Sequence, residues 1–161
     1  MKARDITQIG VLCAIAAVLG YIEALLPPFV PVTGFKIGLA NIAVMFTLYR
    51  FGKKQAFFVM LVKVLITSLW FSGLNALIYS LSGGLISWLA MAFAIKSGMS
   101  KVGAGMCGGV FHNIGQIVAA CLVLNTNTAL YFAPSLLPLG LLSGAFVGVV
   151  VRLLIKYTEK I

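Results

Sequence analysis

Residues 101–124 read KVGAGMCGGVFHNIGQIVAACLVL, and no charged residue follows Lys101 within this stretch. Its length suits a membrane-spanning helix, which needs ~20 mostly apolar residues. The centre of the stretch nevertheless carries His112, Asn113 and Gln116. Polar side chains at the centre of a bilayer are costly. The stretch therefore predicts a membrane helix in which the central polar residues either bind a ligand or join helices.

The composition of the whole chain extends this prediction to the other segments. Of its 161 residues 61% are hydrophobic and only 9% are charged, against about 25% charged residues in ordinary soluble domains. Long apolar runs recur from end to end, so residues 1–161 are predicted to form a single integral membrane domain. The net charge of +9 is spread in small clusters between apolar runs, which argues against nucleic-acid binding.

Six helices are predicted from the apolar runs, which makes the fold class an all-α, polytopic membrane protein with six transmembrane helices. The connection PPFVPVTGFK at 27–36 ends the first helix, because proline and glycine stop regular structure. The second helix is short for a spanning segment. The expected bounds are about 5–26, 36–51, 54–72, 75–96, 101–124 and 134–157.

The basic residues predict how the helices are oriented. In a six-helix arrangement almost all of them fall on one side, and the three opposite loops contain one basic residue, Lys36. The positive-inside rule then places both termini in the cytoplasm. The residues on the predicted inner side are Lys2, Arg4, Arg50, Lys53, Lys54, Lys96, Lys101, Arg152, Lys156 and Lys160.

Small residues recur four positions apart in three of the predicted helices. Such spacing forms a groove that allows another helix to approach closely. Packing within the bundle is one interpretation, and docking of a separate membrane partner is the other; the spacing alone leaves both open. The residues concerned are Cys13, Ala16, Ala17 and Gly20 in the first helix, Gly105 and Gly109 in the fifth, and Gly140, Gly144 and Gly148 in the sixth.

A few polar residues lie within the predicted spans and are the candidate substrate-binding residues. Lys63 and His112 fall near the middle of their helices, and Gln116 shares a face with His112 because residues i and i+4 stack. The other members fall in the predicted outer halves, which suggests a cavity open to the outside that holds an anionic group. The set is Glu23, Lys36, Asn41, Lys63, His112, Asn113 and Gln116.

Structural interpretations of the same residues stand beside the functional one. Lys63 could pair with Glu23 or extend to a headgroup, and His112 could bridge two helices as a neutral hydrogen-bonding group. Asn113 points away from the face shared by His112 and Gln116, which favours a structural role. The cluster is more informative than any single member.

Catalytic signatures are missing from the sequence. Asp5 is the only aspartate, so the aspartate-rich motif that binds a diphosphate and magnesium is lacking, and there is no Walker motif. His112 is the only histidine, and no serine nucleophile has an evident base. The cysteines lack ligand spacing. We expect neither an enzyme nor a metal site or cofactor.

Four stretches together resemble a known bacterial family. They are Tyr21-Ile22-Glu23 followed by a proline pair, GFKIGLANI at 34–42, SLSGGLIS at 80–87 and GGVFHNIGQIVAA at 108–120. The family they resemble is named in two ways, as heptaprenyl diphosphate synthase component I and as Gx transporter. It is similar in size and layout to the substrate-binding S components of energy-coupling factor transporters.

The S-component resemblance implies a six-helix bundle in the bacterial cell membrane that captures a vitamin-like nutrient from outside under a cap formed by 27–36. It also implies docking through the first helix, at Cys13, Ala16, Ala17 or Gly20, onto a transmembrane T subunit driven by two ATPases. The polar positions that match the family are Glu23, Lys36, Asn41, His112, Asn113 and Gln116; Lys63 rests on its depth alone.

Two functions follow as hypotheses. In the first, the protein captures a small amphipathic metabolite, such as an isoprenoid or quinone precursor or a flavin. In the second, it is a non-catalytic membrane subunit in heptaprenyl diphosphate or menaquinone synthesis. A membrane electron-transfer element is a third class, but the sequence shows no ligand set for haem or an iron–sulfur cluster.

Overall fold

The computed structural model describes residues 3–25, 37–71 and 73–159, and the described residues form helices and no strand. A short 3₁₀ helix, Asn127–Phe132, precedes the last helix. The all-α prediction is confirmed. The six α-helices are α1 (Ala3–Leu25), α2 (Leu39–Arg50), α3 (Lys53–Phe71), α4 (Gly73–Lys96), α5 (Lys101–Leu124) and α6 (Ala133–Thr158).

The helix bounds lie close to those predicted, and α5 has the predicted bounds. Pro134 lies in the first turn of α6, where its missing N–H has no helical partner to lose. The 3₁₀ helix replaces what was expected to be a loop at 125–133. Three predicted helix bounds lie outside the described residues, as does the connection 27–36: residue 26 (end of the first helix), residue 36 (start of the second) and residue 72 (end of the third).

The prediction of six spanning helices is not confirmed. In the described chain, α1, α5, most of α4 and the continuous segment Asn127–Thr158 are long and apolar enough to cross a bilayer. With 12 residues, α2 is about 18 Å long, which is short of a hydrocarbon core of about 30 Å. α3 has the length, but it carries three lysines, Lys53, Lys54 and Lys63. The four long apolar helices are compatible with a membrane protein.

Five of the helices form a closed ring, and α1 lies outside it. Around the ring, α2 contacts α3, α3 contacts α4, α4 contacts α5, α5 contacts α6, and α6 returns to α2. α1 packs on α2 and α3. Buried side chains of α2 and α3, among them Met45, Met60 and Val64, fill the core. The ring leaves room for polar residues to meet near its centre.

Glycines bring α5 and α6 into backbone contact. A Cβ atom built on Gly105 or Gly109 would overlap the carbonyl oxygen of Gly144 or Gly140, respectively. A Cβ on Gly148 would lie 2.6 Å from Cα of Val102. The five glycines that are spaced four residues apart in α5 and α6 therefore lie where the two helices touch. Larger side chains do not fit between the helices there.

Both described ends of the chain lie at the same end of the bundle. Arg4 near the start of α1, Arg50 at the end of α2 and Thr158 at the end of α6 line one groove. An even number of helix passes produces this arrangement. Which face of a membrane this end meets stays a prediction from the basic residues.

Candidate functional site

Six of the seven candidate substrate-binding residues line one cavity inside the bundle. The seventh, Lys36, lies outside the described residues. The six come from four helices and from positions as far apart in the chain as 23 and 116, so the fold brings together what the sequence disperses. They are Glu23, Asn41, Lys63, His112, Asn113 and Gln116.

Lys63 and Asn41 form a direct polar contact between α3 and α2. Nζ of Lys63 donates a hydrogen bond to Oδ1 of Asn41 over 2.8 Å, and both residues are half-buried. A hydrogen bond from a charged donor is stronger than one between neutral groups. The pair fixes the lysine amine at the wall of the cavity.

Glu23 fixes the start of α2 from the end of α1. Its Oε1 accepts a hydrogen bond from the backbone N–H of Gly38, which precedes α2 with a φ of 84°. A left-handed backbone favours glycine, and a carboxylate near a helix N-terminus is stabilised by the helix dipole. Asn41 donates its backbone N–H to the carbonyl of Gly38 over 2.9 Å. Glu23 thus positions the turn from which Asn41 projects.

His112 and Gln116 lie side by side on α5 and pack against Gly83 of α4. A Cβ atom on Gly83 would lie 2.8 Å from the carbonyl oxygen of His112, 2.9 Å from Cγ of Gln116 and 3.0 Å from Cε1 of His112. The Nδ1 atom of His112 is buried. The absence of a side chain at Gly83, in the stretch SLSGGLIS, therefore leaves the space in which His112 and Gln116 reach the cavity.

Asn113 lines the cavity but directs its amide toward α6. Its side chain is buried, and Nδ2 donates to the backbone carbonyl of Leu136. A Cβ atom on Gly140 would lie 2.5 Å from the same Nδ2. This bond joins α5 to α6, as expected from an asparagine that points away from the face of His112 and Gln116.

The cavity is small. Its volume is about 40 Å³, which is room for about three water molecules, whereas pockets for drug-sized ligands measure roughly 300–1,000 Å³. Two serines that sequence reasoning did not select also line it, Ser87 and Ser143. Ser87 could have been found, because it lies one helical turn beyond Gly83. The space between the helices suits a compact polar group.

The small-residue face of α1 lies against the bundle. Cys13, Ala16 and Gly20 are buried, and Ala17 is half-buried. A Cβ atom on Gly20 would overlap the side chain of Thr67 on α3. In this structure the exposed part of α1 is the opposite face, with Val11 and Val18. The docking role of the four small residues stays a prediction.

One comparison with known proteins identifies the family of the chain. A family model described as heptaprenyl diphosphate synthase component I matches residues 12–154. Comparison with curated proteins and with solved structures gives no match. The family description denotes one component of a synthase, which is compatible with a chain that is not itself an enzyme. The match covers almost all of the helical bundle, so the chain belongs to the heptaprenyl diphosphate synthase component I family.

Proposed function

We propose that this protein is a membrane-embedded substrate-binding component, similar in role to the S component of an energy-coupling factor importer. It takes a small amphipathic metabolite from outside the cell and holds its polar group in the cavity between the helices. The observation that carries this proposal is the contact between Lys63 and Asn41 at the wall of a polar cavity in a largely apolar bundle. The protein has no catalytic step of its own.

The Lys63 ammonium is the observation from which we infer an anionic ligand group. An ammonium group within a bilayer costs at least ~2.5 kcal/mol, and an anion in the cavity would offset part of that cost. Asn41 accepts a hydrogen bond from the lysine amine, and Gln116 also lines the cavity with an amide that can donate or accept. Glu23 supplies an opposite charge, and its Oε1 accepts from the Gly38 amide. The Lys63 ammonium would attract the negative group of the ligand.

The volume of the cavity limits the size of the ligand group that can enter it. With about 40 Å³, the cavity admits a group of a few heavy atoms rather than a whole isoprenoid or flavin. The apolar part of such a ligand would lie outside this cavity. Candidate ligands are isoprenoid or quinone precursors and flavins, each of which joins a compact polar group to a larger apolar part.

The importer role requires partners. A transmembrane T subunit and two ATPases would supply the energy, since this chain contains no Walker motif. The bundle would lie in the bacterial cell membrane with both termini in the cytoplasm, in keeping with the basic residues. In this structure, α1 offers the part of its exposed face around Val18 to such a partner.

A second candidate function follows from the family description. In it, the protein is a non-catalytic membrane subunit linked to heptaprenyl diphosphate synthesis, and its partner is another component of the synthase. The cavity would then serve the helix bundle, with Lys63 and Asn41 as one of its interhelical bonds.

The proteins that co-purify with this chain from a mild detergent extract distinguish the two candidate functions. The full chain is isolated at native abundance and its protein partners are identified by mass spectrometry. The importer predicts a T subunit together with two ATPases, whereas the synthase subunit predicts a soluble prenyl synthase and no ATPase. Recovery of the soluble synthase alone would overturn the importer proposal.

A further inference from the structure

A second site candidate lies at the end of the bundle where both described chain ends meet. Two adjoining cavities there measure about 410 and 500 Å³. Neither includes a residue of the cavity around Lys63. The residues that line both are Arg4, Gln8, Arg50 and Phe51. We name the combined space the terminal groove.

Two arginines dominate the charge of the terminal groove. Arg4 and Arg50 are both exposed residues that line both of its cavities, and Asp5 lines one of them. Two guanidinium groups and one carboxylate leave one net positive charge. Guanidinium groups bind phosphate through paired hydrogen bonds, which a lysine amine cannot do.

The wall next to the arginines is apolar. Val11, Leu12 and Phe46 line the same cavity as Arg4 and Arg50. Val11 is 53% exposed, so this wall is open along α1 rather than closed by other helices. Inorganic phosphate or an acidic peptide would use the arginines and leave the apolar wall unused. An amphiphile with a phosphate at one end uses both.

We propose that the terminal groove binds one anionic phospholipid, with its headgroup phosphate between Arg4 and Arg50 and an acyl chain along Val11 and Leu12. The positive-inside distribution places this end of the bundle at the inner leaflet, where anionic lipids are attracted to basic segments. Such a lipid would join the start of α1 to the end of α2, next to the end of α6. This site is independent of the proposed importer function.

Native mass spectrometry of the full chain, with phosphatidylglycerol and phosphatidylcholine supplied in equal amounts, tests the proposal. We expect one phosphatidylglycerol to be retained in preference. In the Arg4→Gln/Arg50→Gln double variant its affinity should be roughly 25-fold lower, since each direct hydrogen-bonded contact between an arginine and the phosphate contributes about a fivefold factor. A matched control, Lys54→Gln/Lys96→Gln, removes two exposed lysines outside the groove and should keep the lipid.

Three outcomes would overturn the lipid assignment: equal retention of phosphatidylcholine, an equal loss in the lysine control, or full displacement of the lipid by inorganic phosphate. The last outcome would mean that the apolar wall contributes nothing and that the groove binds a free phosphate. The unfolding temperature of each variant is measured alongside. If the double variant does not fold, Arg4→Gln alone should lower the affinity about fivefold.

Discussion

Nζ of Lys63 on α3 lies 2.8 Å from Oδ1 of Asn41 on α2 and donates a hydrogen bond to it. The pair joins two neighbouring helices of the ring at the wall of the polar cavity. An amine in this position is costly in a bilayer, so the bundle needs either a polar ligand or strong local acceptors there. The predictions that follow distinguish these roles.

The first prediction concerns the two members of this pair. Asn41→Leu removes the acceptor and leaves the charged amine, so we expect a loss of about 1.5–3 kcal/mol in unfolding free energy, the value of a hydrogen bond to a charged group. Lys63→Met removes the charge together with the bond and leaves only the neutral Asn41 oxygen without its donor, so we expect a smaller loss than from Asn41→Leu. Thermal unfolding in detergent compares the two. Equal destabilisation by both would contradict the proposed cost of the amine.

The second prediction concerns His112 on α5. His112→Leu keeps the approximate size of the side chain but removes its hydrogen-bonding groups from the cavity, so we expect binding of the co-purified metabolite to be lost while the bundle stays folded. Phe111→Leu is the matched control, because Phe111 is 43% exposed and does not line the cavity. Ligand retention and unfolding temperature are measured on both variants. If His112→Leu retains the metabolite, the histidine only joins helices.

The third prediction concerns the backbone contact between α5 and α6. Gly109→Ala places a methyl group on the carbonyl oxygen of Gly140, and we expect overpacking to cost about 1–3 kcal/mol. Gly103→Ala, on the same helix, meets the flexible end of Met99 at 3.2 Å and Oγ of Ser100 at 3.4 Å and should be neutral or stabilising, since alanine is the better helix former. Thermal unfolding checks both. Equal unfolding temperatures for the two variants would refute the close contact.

The fourth prediction concerns the turn held by Glu23. Gly38 has a φ of 84°, so Gly38→Ala should cost about 1–2 kcal/mol, whereas Gly38→Asn should cost less because asparagine tolerates the left-handed region. The measurement is again the unfolding temperature in detergent. A Gly38→Asn variant less stable than Gly38→Ala would show that space near Asn41, and not the backbone angle, selects glycine there.

Sequence reasoning predicted much of the fold because apolar length is a strong signal. α5 has its predicted bounds, and the other described helices begin or end within three residues of theirs. Sequence reasoning overestimated the length of α2, because Gly38 adopts a left-handed conformation and the helix starts only at Leu39. Twelve residues are too few to cross a bilayer without tilt or thinning.

Six of the seven selected residues line one cavity, but their contacts there were not predicted, and their role in binding stays a prediction. Depth along six helices was enough to select Glu23, Asn41, Lys63, His112 and Gln116, because residues at similar heights in a bundle meet. Which partner each residue contacts depends on helix rotation, which the spacing of residues does not determine. Glu23, for example, accepts a hydrogen bond from the Gly38 amide, a contact that the spacing of residues did not predict.

The most direct test of the binding proposal is mass spectrometry of small molecules released from the purified protein and from its Lys63→Met variant, with Lys54→Met as the control. Lys54 is exposed at the start of α3 and does not line the cavity. We predict a stoichiometric metabolite with an anionic group in the wild-type protein and in the control, and its loss from Lys63→Met. An empty wild-type protein, purified with its native neighbours present, or equal amounts in all three would contradict the proposed binding site.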